Sequence, residues 1–308
     1  MGGLLDLSVV PQQPCDIDFG WYEEIRTNLL RWTVGQTNRL LDVGCGRGEV
    51  LLMLSEQIGD GVGIDIADED LARAESERQR KGICSVTFRH ADATGIPFPE
   101  GSFDIVLLLG DVLTYVDPGK HEAVVAELWR VLKPGGRAVH ESMNWDWEYR
   151  WPYPPSDIAF TRSGKDTFTA HRTRREPSGL ETTQDYEVLP GTPLRQWILD
   201  QEWPFSPQEA NTRLEAREHA PIPEAWLKLC GESRYKHYCM GDLERLYSGA
   251  GFRHVEVIAY GQTYDLINRA GLLEQFAPFQ SQLALAEAEL AFILRLGNGP
   301  WLFAVADK

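Results

Sequence analysis

Long apolar runs are missing from this chain. Its wholly apolar stretches, such as Ile105–Leu109, fall far short of the ~18 residues that a helix needs to cross a bilayer. No Lys or Arg precedes the first apolar stretch of MGGLLDLSVVPQQPC, so the start does not read as a secretory signal. Asp6 stands where a myristoylation motif wants Ser or Thr. Positive charge is scarce as well: 30 Lys and Arg face 46 Asp and Glu, a net of −16 over 308 residues. A protein that binds DNA or RNA neutralises phosphates with clustered cations, and this chain as a whole would repel them. Its one basic run, with Arg162, Lys165, Arg172, Arg174 and Arg175 against Asp166 and Glu176, reads as a solvated strand face. Cysteines are few, odd in number and scattered at 15, 45, 84, 230 and 239, which excludes a disulfide framework and fits a reducing cytosol. Cys230, His237 and Cys239 lack the fourth ligand and tight spacing of a zinc site, so no metal is expected.

What is present is an ordinary globular balance, 43% hydrophobic and 25% charged. At ~150 residues per domain the length allows about two domains, or one core with a large insertion. Apolar residues at helical spacing over Ile17–Trp32 predict a first helix. Arg39–Val43 then reads as a buried strand, Glu49–Ile58 as a helix and Gly61–Ile66 as a second strand. Asp68–Gly82 is a charged helix with Asp68 as expected N-cap and Gly82 as C-cap. Ser85–His90, the fully apolar Phe103–Leu109 and Arg137–Ser142 supply three more strands, with a helix over His121–Leu132. Five strands alternating with helices mean an α/β, doubly wound Rossmann-like sheet, in which ligands bind beyond the carboxyl ends of the strands.

After Met143 the pattern changes. Residues 146–240 read as an inserted, antiparallel β-rich cap, with strands expected at Phe168–Arg174, Glu181–Val188 and Leu194–Trp203 and turns at Gly179 and Pro190-Gly191. Trp145, Trp147, Tyr149, Trp151 and Tyr153 alternate with polar residues or proline, so an extended chain would place all five on one face. Five of the ten tryptophans lie within 145–203, which suggests a cover over a small-molecule site. A helix at Asp242–Gly249, a strand at Arg253–Tyr260, a long helix over Leu272–Leu296 and a strand at Trp301–Val305 resume the core pattern in 241–308, while 1–37 form an N-terminal helical segment.

The segment Asp42-Val43-Gly44-Cys45-Gly46-Arg47-Gly48 joins a strand to a helix. Its glycines allow a sharp turn and let a ligand approach bare main chain. A dinucleotide loop would place its third glycine three residues after the second, whereas here it follows two after, and Glu49 stands in that place. Asp42 and Glu49 would serve a pyrophosphate poorly and a cationic ligand well. Two further acids end or follow strands: Asp65 in Gly-Ile-Asp-Ile and Asp92 in His-Ala-Asp-Ala. Phe-Asp-Ile-Val (103–106) and Leu-Lys-Pro-Gly-Gly (132–136) come next.

In this order the motifs resemble the class I S-adenosylmethionine-dependent methyltransferases over residues 38–145. The resemblance implies a seven-stranded sheet whose last strand is antiparallel and lies between strands five and six. It implies S-adenosyl-L-methionine as cofactor, with Gly44, Cys45 and Gly46 along its methionine part and Asp42 among the cofactor-binding residues. Asp65 would hold the ribose and Ile66 would lie beside the adenine. Asp92 would accept from the adenine amine, Ala93 would supply a neighbouring amide and Gly110 would border the sulfonium. Trp21 and Tyr22 are candidates for closing over the cofactor or for helix packing. Tyr115, Asn144 and Trp145 are candidates for contact with the methyl acceptor. His140, beside Glu141, Ser142 and Asp111, is a possible general base, although a histidine inside a strand is more often core or edge, and no catalytic residue is assigned. No Asn/Asp-Pro-Pro-Tyr/Phe motif follows strand four. The expected activity is methyl transfer to an O or N atom of a small organic molecule. A non-catalytic regulator that binds the same cofactor, or an enzyme acting on RNA or protein, is the alternative.

Overall fold

The computed structural model describes residues 5–6, 19–146, 156–162, 167–201, 213–218, 222–294 and 299–308. A two-residue strand, β1 (Leu5–Asp6), comes first. Helix α1 (Phe19–Val34) leads into β2 (Thr37–Val43), α2 (Glu49–Leu54), β3 (Ile58–Asp65), α3 (Asp68–Lys81) and β4 (Val86–His90). Then come β5 (Phe103–Leu108), α4 (His121–Val131) and β6 (Leu132–Met143). The middle of the chain forms β7 (Ser156–Arg162), β8 (Phe168–Arg175), β9 (Leu180–Val188), α5 (Pro193–Leu199), β10 (Arg213–Glu218) and β11 (Leu227–Lys236). The last part holds α6 (Met240–Gly249), β12 (Arg253–Tyr260), α7 (Gln262–Arg269), α8 (Leu273–Phe276), α9 (Gln280–Leu294) and β13 (Trp301–Asp307).

These elements divide into two compact units, Met1–Cys15 with Trp151–Lys236, and Asp16–Arg150 with His237–Lys308. The second carries a seven-stranded sheet in the order β12-β13-β6-β5-β2-β3-β4. The strands from β6 to β4 pair in parallel, and β13 runs antiparallel to both β6 and β12. This is the sheet that the resemblance implies. Burial on both faces explains the near-continuous apolar strands. In β5, Phe103, Val106 and Leu108 pack with Val124 and Leu128 of α4. Ile105 and Leu107 point the other way, into a cluster with Ile25 and Leu29 of α1, Leu51 of α2 and Ala288 of α9. The strand order reverses between β5 and β2, so the crevice at the carboxyl ends of these strands is where a ligand is expected.

Local signals are mostly obeyed. Gly82 ends α3 at φ +67°, its amide bonded to the Arg78 and Gln79 carbonyls. The expected N-cap at Asp68 is corrected: Ala67 holds the cap position, because Asp65 Oδ1 already accepts the Ala67 amide at 2.9 Å. Asp68 sits in the first turn instead, 2.7 Å from His90 Nδ1. The helix expected over Leu272–Leu296 is interrupted by a 3-10 turn at Ala277–Phe279, where Pro278 has no amide to donate. Residues 295–296 lie outside the described residues.

The other unit carries an all-antiparallel sheet in the order β1-β10-β7-β8-β9-β11. One face buries Ile158, Phe160, Phe168, Ala170 and Val188 against Leu194 and Ile198 of α5. The strands expected at 168–174 and 181–188 are present, while the strand expected over Leu194–Trp203 is replaced by α5 as far as Leu199, and residues 202–203 lie outside the described residues. Thr192 caps α5 by accepting the Arg195 amide at 3.3 Å, and Pro193 occupies the first turn. Of the expected aromatic row, Trp147, Tyr149, Trp151 and Tyr153 lie outside the described residues.

Back in the larger unit, Asn144 and Tyr238 form a single parallel bridge, and the Trp145 amide donates to the Tyr238 carbonyl at 2.9 Å. The segments flanking the insertion are thereby held side by side. Among the described residues no helix is long and apolar enough to cross a membrane.

Candidate functional site

A cavity of about 850 Å³ opens at the carboxyl ends of β2, β3, β4 and β5. Asp42, Gly44, Cys45, Gly46, Asp65, Ile66, Asp92, Ala93 and Gly110 all line it, and so does Tyr115. The glycine loop is fastened to β3 by the amides of Gly44 and Cys45, which donate to the Ile64 carbonyl at 2.8 and 3.0 Å. Gly44 and Gly48 sit at φ +74° and +73° in close quarters: a Cβ on Gly44 would meet Val112 Cγ2 at 2.4 Å, and one on Gly48 would meet Phe88 at 2.3 Å. Gly46 and Gly110 differ. Nothing lies within 4 Å of where their Cβ would stand, so bare main chain borders open space. That is the surface a bound ligand needs.

Asp65 ends β3 with both oxygens engaged, Oδ2 accepting the Gly46 amide at 2.8 Å and Oδ1 the Ala67 amide. Asp92 Oδ1 accepts the amide and the hydroxyl of Thr94, each at 2.8 Å, and these bonds hold its carboxyl below the usual range. At the rim Ile66 and Tyr115 are 66% and 82% exposed, unusual for side chains of this kind and suited to covering a flat ligand. Six carboxylates line the cavity (Asp42, Glu49, Asp65, Asp70, Asp92, Asp117) against three cations (Arg26, Arg47, Lys120), a field that favours a positive ligand. Burial pushes the Asp42 carboxyl up to about 7, against the pull of Arg26 and with some help from Asp65. Burial, aided by Asp42 and Asp65, also pushes the Cys45 thiol up, so it is neutral and lacks the thiolate a nucleophile needs.

Other candidates lie elsewhere. Asn144 is buried, donating through Nδ2 to the Gly299 carbonyl at 2.8 Å, and Trp145 stacks on His237 with centroids 5.2 Å apart; neither lines the cavity. Trp21 and Tyr22 pack on Tyr264 at centroid distances of 5.4 and 4.9 Å, which makes them helix-packing residues. His140 takes the core reading, not that of a base. It is fully buried, bonded through Nδ1 to the Tyr247 hydroxyl at 2.9 Å, and burial with the nearby His121 holds it down to about 3. A histidine that resists protonation and faces the core cannot collect a proton from an acceptor. Asp111 is buried behind the wall at φ +61°, its Oδ1 accepting the Met143 amide at 3.3 Å; burial raises it to about 6.

Arg26 escapes the sequence reading, and Glu141 has no part in it beyond standing beside His140. Arg26 reaches the cavity wall from α1, and Glu141 binds Arg26, Gly110 and Tyr260 beneath it. An arginine within an amphipathic helix carries no signal of its own, since tertiary packing alone aims it at the cavity.

Residues 40–136 match a family model described as a methyltransferase domain. A demethylmenaquinone methyltransferase from Thermus thermophilus is 40% identical over 103 residues, 33% of this chain and 45% of that protein. A nocamycin O-methyltransferase from Saccharothrix syringae is 41% identical over 101 residues, 32% of this chain and 35% of that protein. The chain thus spans less than half the length of these curated relatives. In fold, the CcbJ methyltransferase from Streptomyces caelestis aligns at a TM-score of 0.53 over 92% of this chain and 94% of that one, with 11% identity.

Proposed function

We propose that the protein, whose residues 40–136 match a methyltransferase-domain model, moves a methyl group from S-adenosyl-L-methionine to an O or N atom of a small organic molecule, as the class I methyltransferases it resembles do. One observation carries the reading: the open main chain at Gly46 and Gly110 borders an acid-rich cavity beside Asp65. Gly44, Cys45 and Gly46 would hold the amino-acid end by their backbone. Asp65 would take the ribose, Ile66 the face of the adenine, and Asp92 with Ala93 its edge. Gly110 would border the sulfur.

When bound, the cofactor supplies a methyl group already activated on a positively charged sulfur. The residues of the chain then have three tasks: to hold that carbon in line with the acceptor atom, to exclude water and to tolerate the positive charge. The acidic lining serves the last of these. No residue around the cavity is assigned as a general base, which suits an acceptor that is nucleophilic without help. A small acceptor is supported by the relatives, whose names specify demethylmenaquinone and nocamycin. Tyr115 at the rim would be the side chain to meet it.

The test is calorimetric titration of the purified chain with S-adenosylmethionine and, separately, S-adenosylhomocysteine. Micromolar binding of both is expected. Binding of neither would overturn the cofactor and with it the activity.

A further inference from the structure

One buried carboxylate holds three elements together beneath the cavity. Glu141, on β6 and 2% exposed, uses Oε2 to accept the Gly110 amide at 3.0 Å and to pair with Arg26 Nη1 at 3.5 Å, while Oε1 takes the Tyr260 hydroxyl. Arg26 comes from α1 and Tyr260 from the end of β12. Arg26 and Gly110 line the cavity; Glu141 is not among its lining residues.

The acceptor roles at Gly110 and Tyr260 use one carboxylate oxygen each; a glutamine would keep an oxygen for the Gly110 amide and turn its NH2 to the Tyr260 hydroxyl, whose oxygen can accept instead of donate. The negative charge answers a different need. Burial works against the Arg26 guanidinium, but the attraction of Glu141, foremost among those of Tyr260 and Glu23, combines with them to raise its pKa. A guanidinium at the wall of a cavity built for a cation is out of place unless something cancels it. Charges a few ångströms apart in such a setting change affinity by an order of magnitude. A ligand with a positive sulfur feels an uncancelled Arg26, whereas the same ligand after losing its methyl group carries a neutral thioether and does not.

We propose that Glu141 is a positioning residue that cancels the charge of Arg26 at the cavity wall and so sets the preference of the site for positively charged S-adenosylmethionine over neutral S-adenosylhomocysteine. The inference rests on the cofactor reading given above. It makes Glu141 a control on the balance between cofactor and spent product, separate from the groups that touch either ligand.

The experiment is calorimetry of the full chain with both ligands, for the wild type, Glu141→Gln, Arg26→Gln and the double variant. Glu141→Gln keeps the shape and one of the two acceptor oxygens, and is expected to weaken S-adenosylmethionine about tenfold more than S-adenosylhomocysteine. Arg26→Gln leaves Glu141 uncancelled and should shift the ratio of affinities the opposite way. The double variant should return the ratio to within about twofold of wild type. Should Glu141→Gln not fold, Arg26→Gln reads the same coupling with the opposite sign. A purely structural role would weaken both ligands equally, and an unmoved ratio would overturn the inference alone. A wild type that binds neither ligand would overturn the cofactor reading and this inference with it.

Discussion

Asp65 reaches back from the end of β3 to the glycine loop, its Oδ2 lying 2.8 Å from the Gly46 amide nitrogen. The same carboxylate that orders the loop is the one proposed to receive a ribose. Asp65→Ala removes both contributions, and S-adenosylhomocysteine affinity should fall by ~1.5–3 kcal/mol through lost charge-assisted hydrogen bonds. Calorimetry reads this directly. An unchanged affinity would take Asp65 out of the site.

The loop glycines separate packing from binding. Gly44→Ala must push a methyl group against Val112 at φ +74°, so its melting temperature should drop well below that of Gly46→Ala, which meets only open space. Gly46→Val places a branched side chain where the ligand belongs, and should abolish binding while the chain stays folded. Equal melts for the two alanine variants, or a normal titration for Gly46→Val, would show that the loop does neither job.

Asp42 gives a pH signature of unusual sign. Its carboxyl titrates at about 7 in the folded chain, against an ordinary value of 3.8. Between those values the folded state binds the extra proton, so this residue lowers stability as pH rises through the window. Asp42→Asn cannot ionise and escapes the loss. Relative to wild type it should gain stability from pH 4 to pH 8, at roughly 1.4 kcal/mol per pH unit as an upper bound. Urea unfolding at the two ends of the range measures the difference. A gap that stays constant with pH would refute the assignment.

His140 should behave as a core residue. Tyr247→Phe removes the hydroxyl bonded to its Nδ1 and should cost ~1–3 kcal/mol of stability with S-adenosylhomocysteine affinity unchanged. Because the folded histidine gives up its proton near 3 while an unfolded one keeps it up to about 6.5, acid destabilises the fold through His140 as pH falls through that interval. Loss of ligand binding without loss of stability would return His140 to the site.

The parallel strands were legible because burial on both faces leaves them no choice of side chain, as in Phe103–Leu108 between its glycine-bounded turns. The strands of the insertion were harder to read. β11, Leu-Lys-Leu-Cys-Gly-Glu-Ser-Arg-Tyr-Lys, buries only Leu227 fully, so no apolar alternation marks it. α5 was misread although Thr192-Pro193 is a helix-start signal, because Leu194, Ile198 and their neighbours also suit a strand. At the site, backbone contacts left glycines behind as markers and Asp65 and Asp92 follow strands in recognisable places. Glu141 and Arg26, 115 positions apart, meet only once the sheet and α1 have packed, and nothing local records that meeting.

The bridge between Asn144 and Tyr238 means that the insertion hangs from two adjacent threads. A few residues laid across that gap would reconnect the core with little loop-closure entropy, whatever lay between. The seven-stranded sheet can therefore accept one insertion in place of another as a socket accepts a fitting, while the glycine loop is left untouched.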